Sequence, residues 1–83
     1  MKASLNNLIV TLHEVKGDFS KLTIAKGTIG TVVECYEDPE GYAVDLAIPD
    51  ETLVGGFSYE NVILRPDQFE VVKSINKKSA QAA

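Results

Sequence analysis

Few side chains in this sequence could do chemistry, and they lie far apart along the chain. His13 is followed by Glu14, and such a pair could act as a general base or bind a metal ion. No second histidine accompanies it, and the single cysteine, Cys35, is distant in sequence. We therefore interpret His13 as a half-exposed strand residue and Cys35 as a small buried hydrophobic residue, because nothing nearby would make it a nucleophile.

Two short motifs could bind ions, but their spacing argues against it. Gly27 and Gly30 form a Gly-x-x-Gly pattern, yet neither the Gly-Lys-Ser/Thr sequence nor the helix of a phosphate-binding loop follows. The acidic run from Glu37 to Glu40 carries three carboxylates without the alternating ligands and distal glutamate of a calcium loop. We predict a solvated acidic turn there, and neither a metal site nor a cofactor site in the chain.

The absence of a catalytic constellation from the sequence favours a binding function over an enzymatic one. We predict that the chain is not an enzyme and that it binds a protein partner or a second copy of itself, since open strand edges would allow a homodimer. An antitoxin- or immunity-like role against a basic partner is one concrete form of this hypothesis. The predicted interaction surface consists of acidic and aromatic residues in the middle of the chain: Glu34, Tyr36, Glu37, Asp38, Glu40, Asp45 and Tyr59.

The charge distribution bears on the kind of partner. The chain of 83 residues has 12 acidic and 8 basic side chains, a net charge of −4. Residues 1–72 contain all 12 acids and five of the basic residues, which gives that part −7, whereas Lys73, Lys77 and Lys78 give residues 73–83 a charge of +3. Between residues 27 and 64 there is neither lysine nor arginine, so this segment would repel a phosphate backbone and nucleic-acid binding is not expected.

Length and composition predict one soluble cytoplasmic domain. A chain of 83 residues can bury one small core, and 45% hydrophobic residues lie in the globular range. One cysteine cannot form an internal disulfide, which would be unusual for a small secreted domain. The sequence has neither a signal-peptide-like stretch nor an apolar run long enough to span a membrane, so we expect no membrane contact.

The elements that would position these side chains are short β-strands. Alternating or β-branched runs predict strands at residues 8–13, 28–36, 42–48, 57–64 and 70–72. The predicted core faces are Leu8, Val10 and Leu12 in the first strand, Val33 and Cys35 with a half-covered Val32 in the second, and Tyr42, Val44, Leu46 and Ile48 in the third.

Turn-forming residues between the runs predict the connections. Residues 14–25 are expected to form a long loop pinned by apolar side chains, and residues 37–41 a five-residue hairpin link. Gly27 is expected at positive φ, and Gly30 at a bend or bulge where two backbones come close. The side chains expected to pin the long loop are Phe19, Leu22 and Ile24.

The last third of the chain predicts a second set of turns. After Pro49 breaks the third strand, residues 53–54 could briefly resume it before two glycines. Proline at position 66 favours a single 3₁₀ turn over residues 65–69. Phe69 and Val71 are then expected to close the end of the core.

Five short strands, a long first loop, a bent second strand and a 3₁₀ turn before the last strand are typical of an all-β, SH3-like barrel. Residues 1–7 would form an N-terminal arm, residues 8–72 the barrel, and residues 73–83 a frayed or short helical tail.

Several stretches resemble a family of short stand-alone bacterial proteins of unknown function. They are Lys-Gly-Thr-Ile-Gly-Thr-Val-Val-Glu, Gly-Tyr-Ala-Val-Asp-Leu and Leu-Arg-Pro-Asp-Gln-Phe-Glu-Val-Val. The family shares a Gly-x-x-Gly-x-Val-Val-Glu hairpin, a Tyr-x-Val-x-Phe/Leu strand and a closing Pro-x-Gln-Leu-x-x-Val turn. The resemblance covers residues 8–72 and implies the barrel fold but no activity, because every matched motif is structural; residues 49–56 depart from it.

Two alternatives stay open at this point. The Gly-x-x-Gly-x-Val pattern also resembles the KOW motif of ribosomal and transcription-factor domains, which would imply nucleic-acid binding through the barrel and the lysines of residues 73–83. The basic residues on which KOW domains rely are absent here. The other alternative is a small-ligand binder or accessory enzyme subunit with a surface cleft lined by His13, Tyr36 and Tyr59.

Overall fold

The computed structural model describes residues 1–17 and 22–72. The predicted contribution of Phe19 to the first loop, and the predicted tail at residues 73–83, lie outside the described residues. The described part contains seven strands and one 3₁₀ turn, Pro66–Gln68. The strands are β1 Leu8–Thr11, β2 Val15–Lys16, β3 Thr23–Ile24, β4 Ile29–Glu37, β5 Glu40–Pro49, β6 Phe57–Leu64 and β7 Phe69–Val72.

Five of these strands form one antiparallel sheet in the order β6-β5-β4-β1-β7. They correspond to the five strands that the sequence pattern predicts, so the all-β class is confirmed. The short strands β2 and β3 pair only with each other, with Val15 opposite Ile24. They replace part of the long irregular loop expected over residues 14–25. Of the side chains expected to pin that loop, Ile24 is buried and Leu22 is exposed.

The core lies on one face of β5 and β6. Tyr42, Val44 and Leu46 of β5 are fully buried, as the alternation of that strand predicts. Val62 and Leu64 of β6, which pair with Val44 and Tyr42, are fully buried beside them. Three of the four residues of the third predicted core face are therefore fully buried, and the fourth, Ile48, is partly buried and packs against the core.

The core face of β1 is the opposite of the predicted one. Ile9 and Thr11 are buried, whereas the three predicted core residues, Leu8, Val10 and Leu12, are only half-buried. The reason is the register: Ile9 pairs with Gly30, which faces inward, and Leu8 pairs with Thr31, which faces outward. Burial of Thr11 is compatible with its hydroxyl, which donates to Ala25 O (3.2 Å) and accepts from Thr28 N (3.0 Å).

A β-bulge at Val33 changes the phase of β4. Val32 pairs with Val44, but the next pair is Glu34 with Ala43, so Val33 has no partner on β5. Val32 is fully buried and Val33 is 41% exposed, which corrects the prediction that Val33 faces the core and Val32 is half covered. Beyond the bulge, the inward positions become odd-numbered, and Cys35 packs against the core as predicted.

Gly30 lies where the backbones of β4 and β5 come close, as predicted, but the bulge is three residues further on. A Cβ at Gly30 would lie 2.7 Å from side-chain atoms of Leu46 and Val44 and 2.9 Å from Asp45 O. Gly27 has φ +86°, which confirms the positive φ expected there.

The hairpin link between β4 and β5 is tighter than predicted. Glu37 pairs with Glu40, so the connection is Asp38-Pro39, joined by a cis peptide bond, and not a five-residue segment. The acidic residues on either side belong to the strands because their backbones complete the ladder.

The turns of the last third are mostly as predicted. Pro66–Gln68 form the 3₁₀ turn, and Phe69 is fully buried after it. Residues 53–54 are not a strand, which corrects that prediction: Asp50 N donates to Gly56 O (2.8 Å) and closes the loop from β5 to β6. Val54 at the tip of this loop is fully exposed. Within residues 1–17 and 22–72, there is no helix with the length and apolarity that a membrane crossing requires.

Candidate functional site

A groove of about 620 Å³ lies beside the tip of the β4–β5 hairpin. One side comes from the hairpin and the other from the end of β6 and the 3₁₀ turn, so the groove joins two parts of the chain that are distant in sequence. Its lining consists of Tyr36, Asp38, Pro39, Glu40 and Gly41 on the first side and residues 63–67 on the second.

The absence of a side chain at Gly41 leaves the middle of the groove open. Gly41 pairs with Tyr36 across the hairpin, and a Cβ built on it would lie 3.7 Å from Ile63 Cγ2. Tyr36 is 45% exposed and Ile63 is 49% exposed, on strands either side of it. An aromatic and an aliphatic side chain therefore offer apolar surface to solvent across a glycine.

The carboxylate of Glu40 is bound by the N-terminal arm. Glu40 Oε2 accepts a hydrogen bond from Lys2 N (2.8 Å) and a short one from the Tyr42 hydroxyl. The hydrogen bond from Tyr42, and then that from Lys2 N, hold the pKa of Glu40 below its ordinary value. Glu40 is thus a fixed negative charge at the edge of the groove.

The hydroxyl of Tyr42 connects to the groove through the carboxylate of Glu40. This hydroxyl donates to Glu40 and accepts from Lys2 N (2.8 Å) and Ala3 N (3.3 Å). Burial, followed by the hydrogen bond to Glu40, raises the pKa of Tyr42. Tyr42 therefore stays neutral and connects the arm to the sheet.

The side chain of Lys2 fixes the other wall. Lys2 Nζ donates to Pro66 O (2.7 Å) and to Phe69 O, and lies 3.6 Å from Glu70 Oε2. It also lies 4.9 Å from the ring centroid of Phe69. The 3₁₀ turn that carries Pro66 into the groove is thus attached to the N-terminal arm.

The structure brings only part of the predicted interaction surface together. Tyr36, Asp38 and Glu40 line the groove, and Glu37 precedes the turn beside them. Glu34 is exposed opposite Ala43, so it lies on the same outer face of the sheet as Tyr36.

Two predicted residues lie further along that outer face. Asp45 Oδ1 accepts from Asn61 Nδ2 (2.7 Å), and Tyr59 is 67% exposed opposite Ala47. Neither lines the groove.

Sequence reasoning missed Lys2 and the whole second wall, residues 63–67. Arg65 Nε lies 3.2 Å from Asp67 Oδ1 in an exposed ion pair, and Arg65 N donates to Gln68 Oε1 (2.7 Å). The acidic side chains of the hairpin could be predicted as part of a surface because they cluster in the sequence. Residues 63–67 could not be predicted in the same way, because only the fold places them against the hairpin.

The two side chains considered as reactive, His13 and Cys35, are not part of the groove lining. His13 is exposed, and Cys35 is half-buried with its Sγ 4.0 Å from Ala3 O. Across residues 1–17 and 22–72, histidine, cysteine and carboxylate side chains do not gather in a group of three or more that could hold a metal ion.

Comparison of the chain with family models, with curated proteins and with solved structures finds no match. The resemblance noted from its motifs therefore stays a prediction.

Proposed function

We propose that the chain is a small cytoplasmic, non-catalytic protein-interaction module that binds a protein partner in the groove beside the β4–β5 hairpin. The observation that carries this proposal is the pair of half-exposed apolar side chains, Tyr36 and Ile63, on either side of Gly41. Exposed aromatic and aliphatic side chains around a concavity are characteristic of binding sites.

We further propose that the sheet closes as an SH3-like barrel. Tyr42 of β5 and Phe69 at the start of β7 are in edge-to-face contact, with ring centroids 5.4 Å apart. The 3₁₀ turn joins β6 directly to β7, the two outer strands in the order of the five-stranded sheet. Both features support a sheet whose ends curve towards each other.

Charge favours a partner with a basic surface. Residues 1–72 carry −7, and three of the carboxylates line the groove at Asp38, Glu40 and Asp67. Complementary charge speeds encounter and disfavours polyanionic partners. An inhibitor of a basic protein, as in antitoxin- or immunity-like pairs, has this chemistry.

A second candidate is supported by the volume of the groove. About 620 Å³ is within the range of small-ligand pockets, roughly 300–1,000 Å³. The groove would then hold an apolar ligand with a cationic group. The variants Tyr36→Leu and Asp38→Lys, used in the test below, should weaken binding in either case. The two functions are then distinguished by whether the bound material is a protein or a small molecule.

The proposal is tested by capture of a partner from an extract of the native host on the immobilised full chain. We expect one protein to be retained by the wild type and by Tyr59→Leu, which alters the outer face away from the groove. The same protein should be lost with Tyr36→Leu and with Asp38→Lys. Circular dichroism spectra of the four chains would establish that each is folded.

Two results would contradict the proposal. One is that no protein is retained even at low salt, where the acidic surface is screened least. The other is equal retention by the wild type and both groove variants, which would place the binding surface elsewhere.

A further inference from the structure

The carboxylates of the groove differ in what they already contact. Glu40 accepts hydrogen bonds from Tyr42 and Lys2, and Asp67 pairs with Arg65. Asp38 is exposed, and among the described residues its carboxylate has neither a hydrogen-bond partner nor an ion-pair partner. Asp38 is therefore the carboxylate that is available to a ligand.

The side chains around Asp38 specify more than a positive charge. Tyr36 lies in the same lining and leaves about half of its surface exposed. Pro39 and Pro66 add rigid apolar surface to either side of the groove. A ligand that complements this lining has a planar cationic group, which contacts the Tyr36 ring and the Asp38 carboxylate. It also has an adjacent apolar group, which contacts the prolines.

Arginine matches this combination better than lysine. Its guanidinium is planar, stacks on aromatic rings and donates in a fork to a carboxylate, and it is more weakly hydrated than an ammonium group. An exposed cation over a tyrosine ring strengthens binding about twofold to fivefold.

We propose that the groove binds an extended segment of the partner protein in which an arginine stands next to an apolar residue. The guanidinium lies between the Tyr36 ring and the Asp38 carboxylate, and the apolar side chain packs over Gly41 towards Pro66. This inference rests on the proposed function, because it names the partner chemistry of the same groove.

The test is a titration of the ¹⁵N-labelled full chain with the blocked peptide acetyl-Gly-Leu-Arg-Leu-Gly-amide, followed by amide chemical shifts. The comparison peptides carry lysine or citrulline in place of arginine. We expect shifts at Gly41 and the adjacent lining, with the lysine peptide binding about threefold to fivefold more weakly than the arginine peptide. The citrulline peptide, which keeps the shape and lacks the charge, should bind most weakly.

Matched variants locate the two contacts. Tyr36→Leu should reduce the preference for arginine over lysine, whereas Tyr36→Phe, which keeps the ring, should retain it. Asp38→Asn should weaken the arginine peptide about threefold and leave the citrulline peptide unchanged. Tyr59→Leu should behave as the wild type.

Equal affinity for the arginine and citrulline peptides would overturn the inference. So would an affinity for the arginine peptide that is the same in the wild type and in the double variant Tyr36→Leu with Asp38→Asn. Markedly tighter peptide binding after Lys77→Glu with Lys78→Glu would assign the groove to the chain's own residues 73–83 and also overturn it. Failure of the peptide with groove-dependent capture intact refutes only the arginine inference. Loss of that capture refutes the proposed function itself.

Discussion

Glu40 and Tyr42 show how one hydrogen-bonded pair can serve both stability and the groove. The Tyr42 ring is buried against Phe69, and its hydroxyl reaches the carboxylate of Glu40 at the groove edge. Lys2 N donates to both oxygens, so the arm completes the pair. A buried hydroxyl needs such hydrogen-bond partners, because a buried polar group without them is destabilising. A phenylalanine at position 42 would need none.

Glu40→Gln should make the free energy of unfolding depend less on pH in the acidic range. The pKa of Glu40 is lowered in the folded state, so its contribution is fully present above 4.5, the ordinary glutamate value, and is lost as the pH falls through the lower folded value. Urea unfolding followed by circular dichroism should show the wild type as the more stable protein at pH 7, with the difference shrinking below pH 4.5.

The control for this prediction removes the main cause of the shift. In the background of Tyr42→Phe, which deletes the hydroxyl, Glu40→Gln should have a smaller effect at pH 7. A difference between wild type and Glu40→Gln that stayed constant down to pH 2 would contradict the assignment, since pH 2 lies roughly two units below the ordinary glutamate value.

The β4–β5 hairpin depends on a glycine and a bulge that do different things. Gly30 lets the backbone of β4 approach Val44 and Leu46, and the bulge at Val33 then changes which residues face inward. Without the bulge, strict alternation from Val32 would direct Tyr36 inward and Cys35 outward. The bulge is therefore what puts Tyr36 on the outer face, where the groove forms.

Gly30→Ala should be strongly destabilising because the added methyl would lie 2.7 Å from two core side chains and 2.9 Å from a backbone oxygen. We expect a loss of roughly 1–3 kcal/mol in the free energy of unfolding, measured by urea denaturation, as for other overpacked sites. Gly41→Ala is the matched control in the partner strand, since its nearest atoms lie at an ordinary 3.7 Å. Similar losses in both variants would argue for a backbone propensity effect and against the close approach at Gly30.

In the molecule as a whole, the N-terminal arm connects elements that the sheet leaves apart. Lys2 N binds Glu40 and Tyr42 of β5, and Lys2 Nζ binds Pro66 O in the 3₁₀ turn and Phe69 O in β7. Asn6 N also donates to Val32 O (2.8 Å), beside the bulge in β4. One segment of seven residues thus contacts three strands and the turn.

Lys2→Met tests this connection, because methionine keeps an unbranched apolar stem and removes the ammonium group. We expect the free energy of unfolding to fall by about 1 kcal/mol, mainly from the hydrogen bonds to Pro66 O and Phe69 O. The exposed pair with Glu70 should add little. Lys26→Met, at an exposed loop position, should change stability by no more than about 0.5 kcal/mol in the same urea experiment. Equal effects at the two positions would contradict the role given to the arm.

The sequence by itself determined the features that depend on neighbouring residues. The burial of Tyr42, Val44 and Leu46, the proline of the 3₁₀ turn and the positive φ of Gly27 each follow from the chemistry of a few consecutive residues. Each was predicted correctly. The acidic character of the hairpin could also be predicted from the sequence, because charge composition does not depend on the fold.

Only the tertiary structure decided which face of β1 is buried, where β4 bulges and what stands opposite Tyr36. Leu8, Ile9 and Val10 are all aliphatic, so their order carries no preference for one face, and pairing of Ile9 with Gly30 selected it. The groove joins the hairpin tip to residues 63–67, more than twenty positions away. Such contacts arise from strand register and sheet curvature, which are properties of the assembled sheet and of no single stretch of the chain.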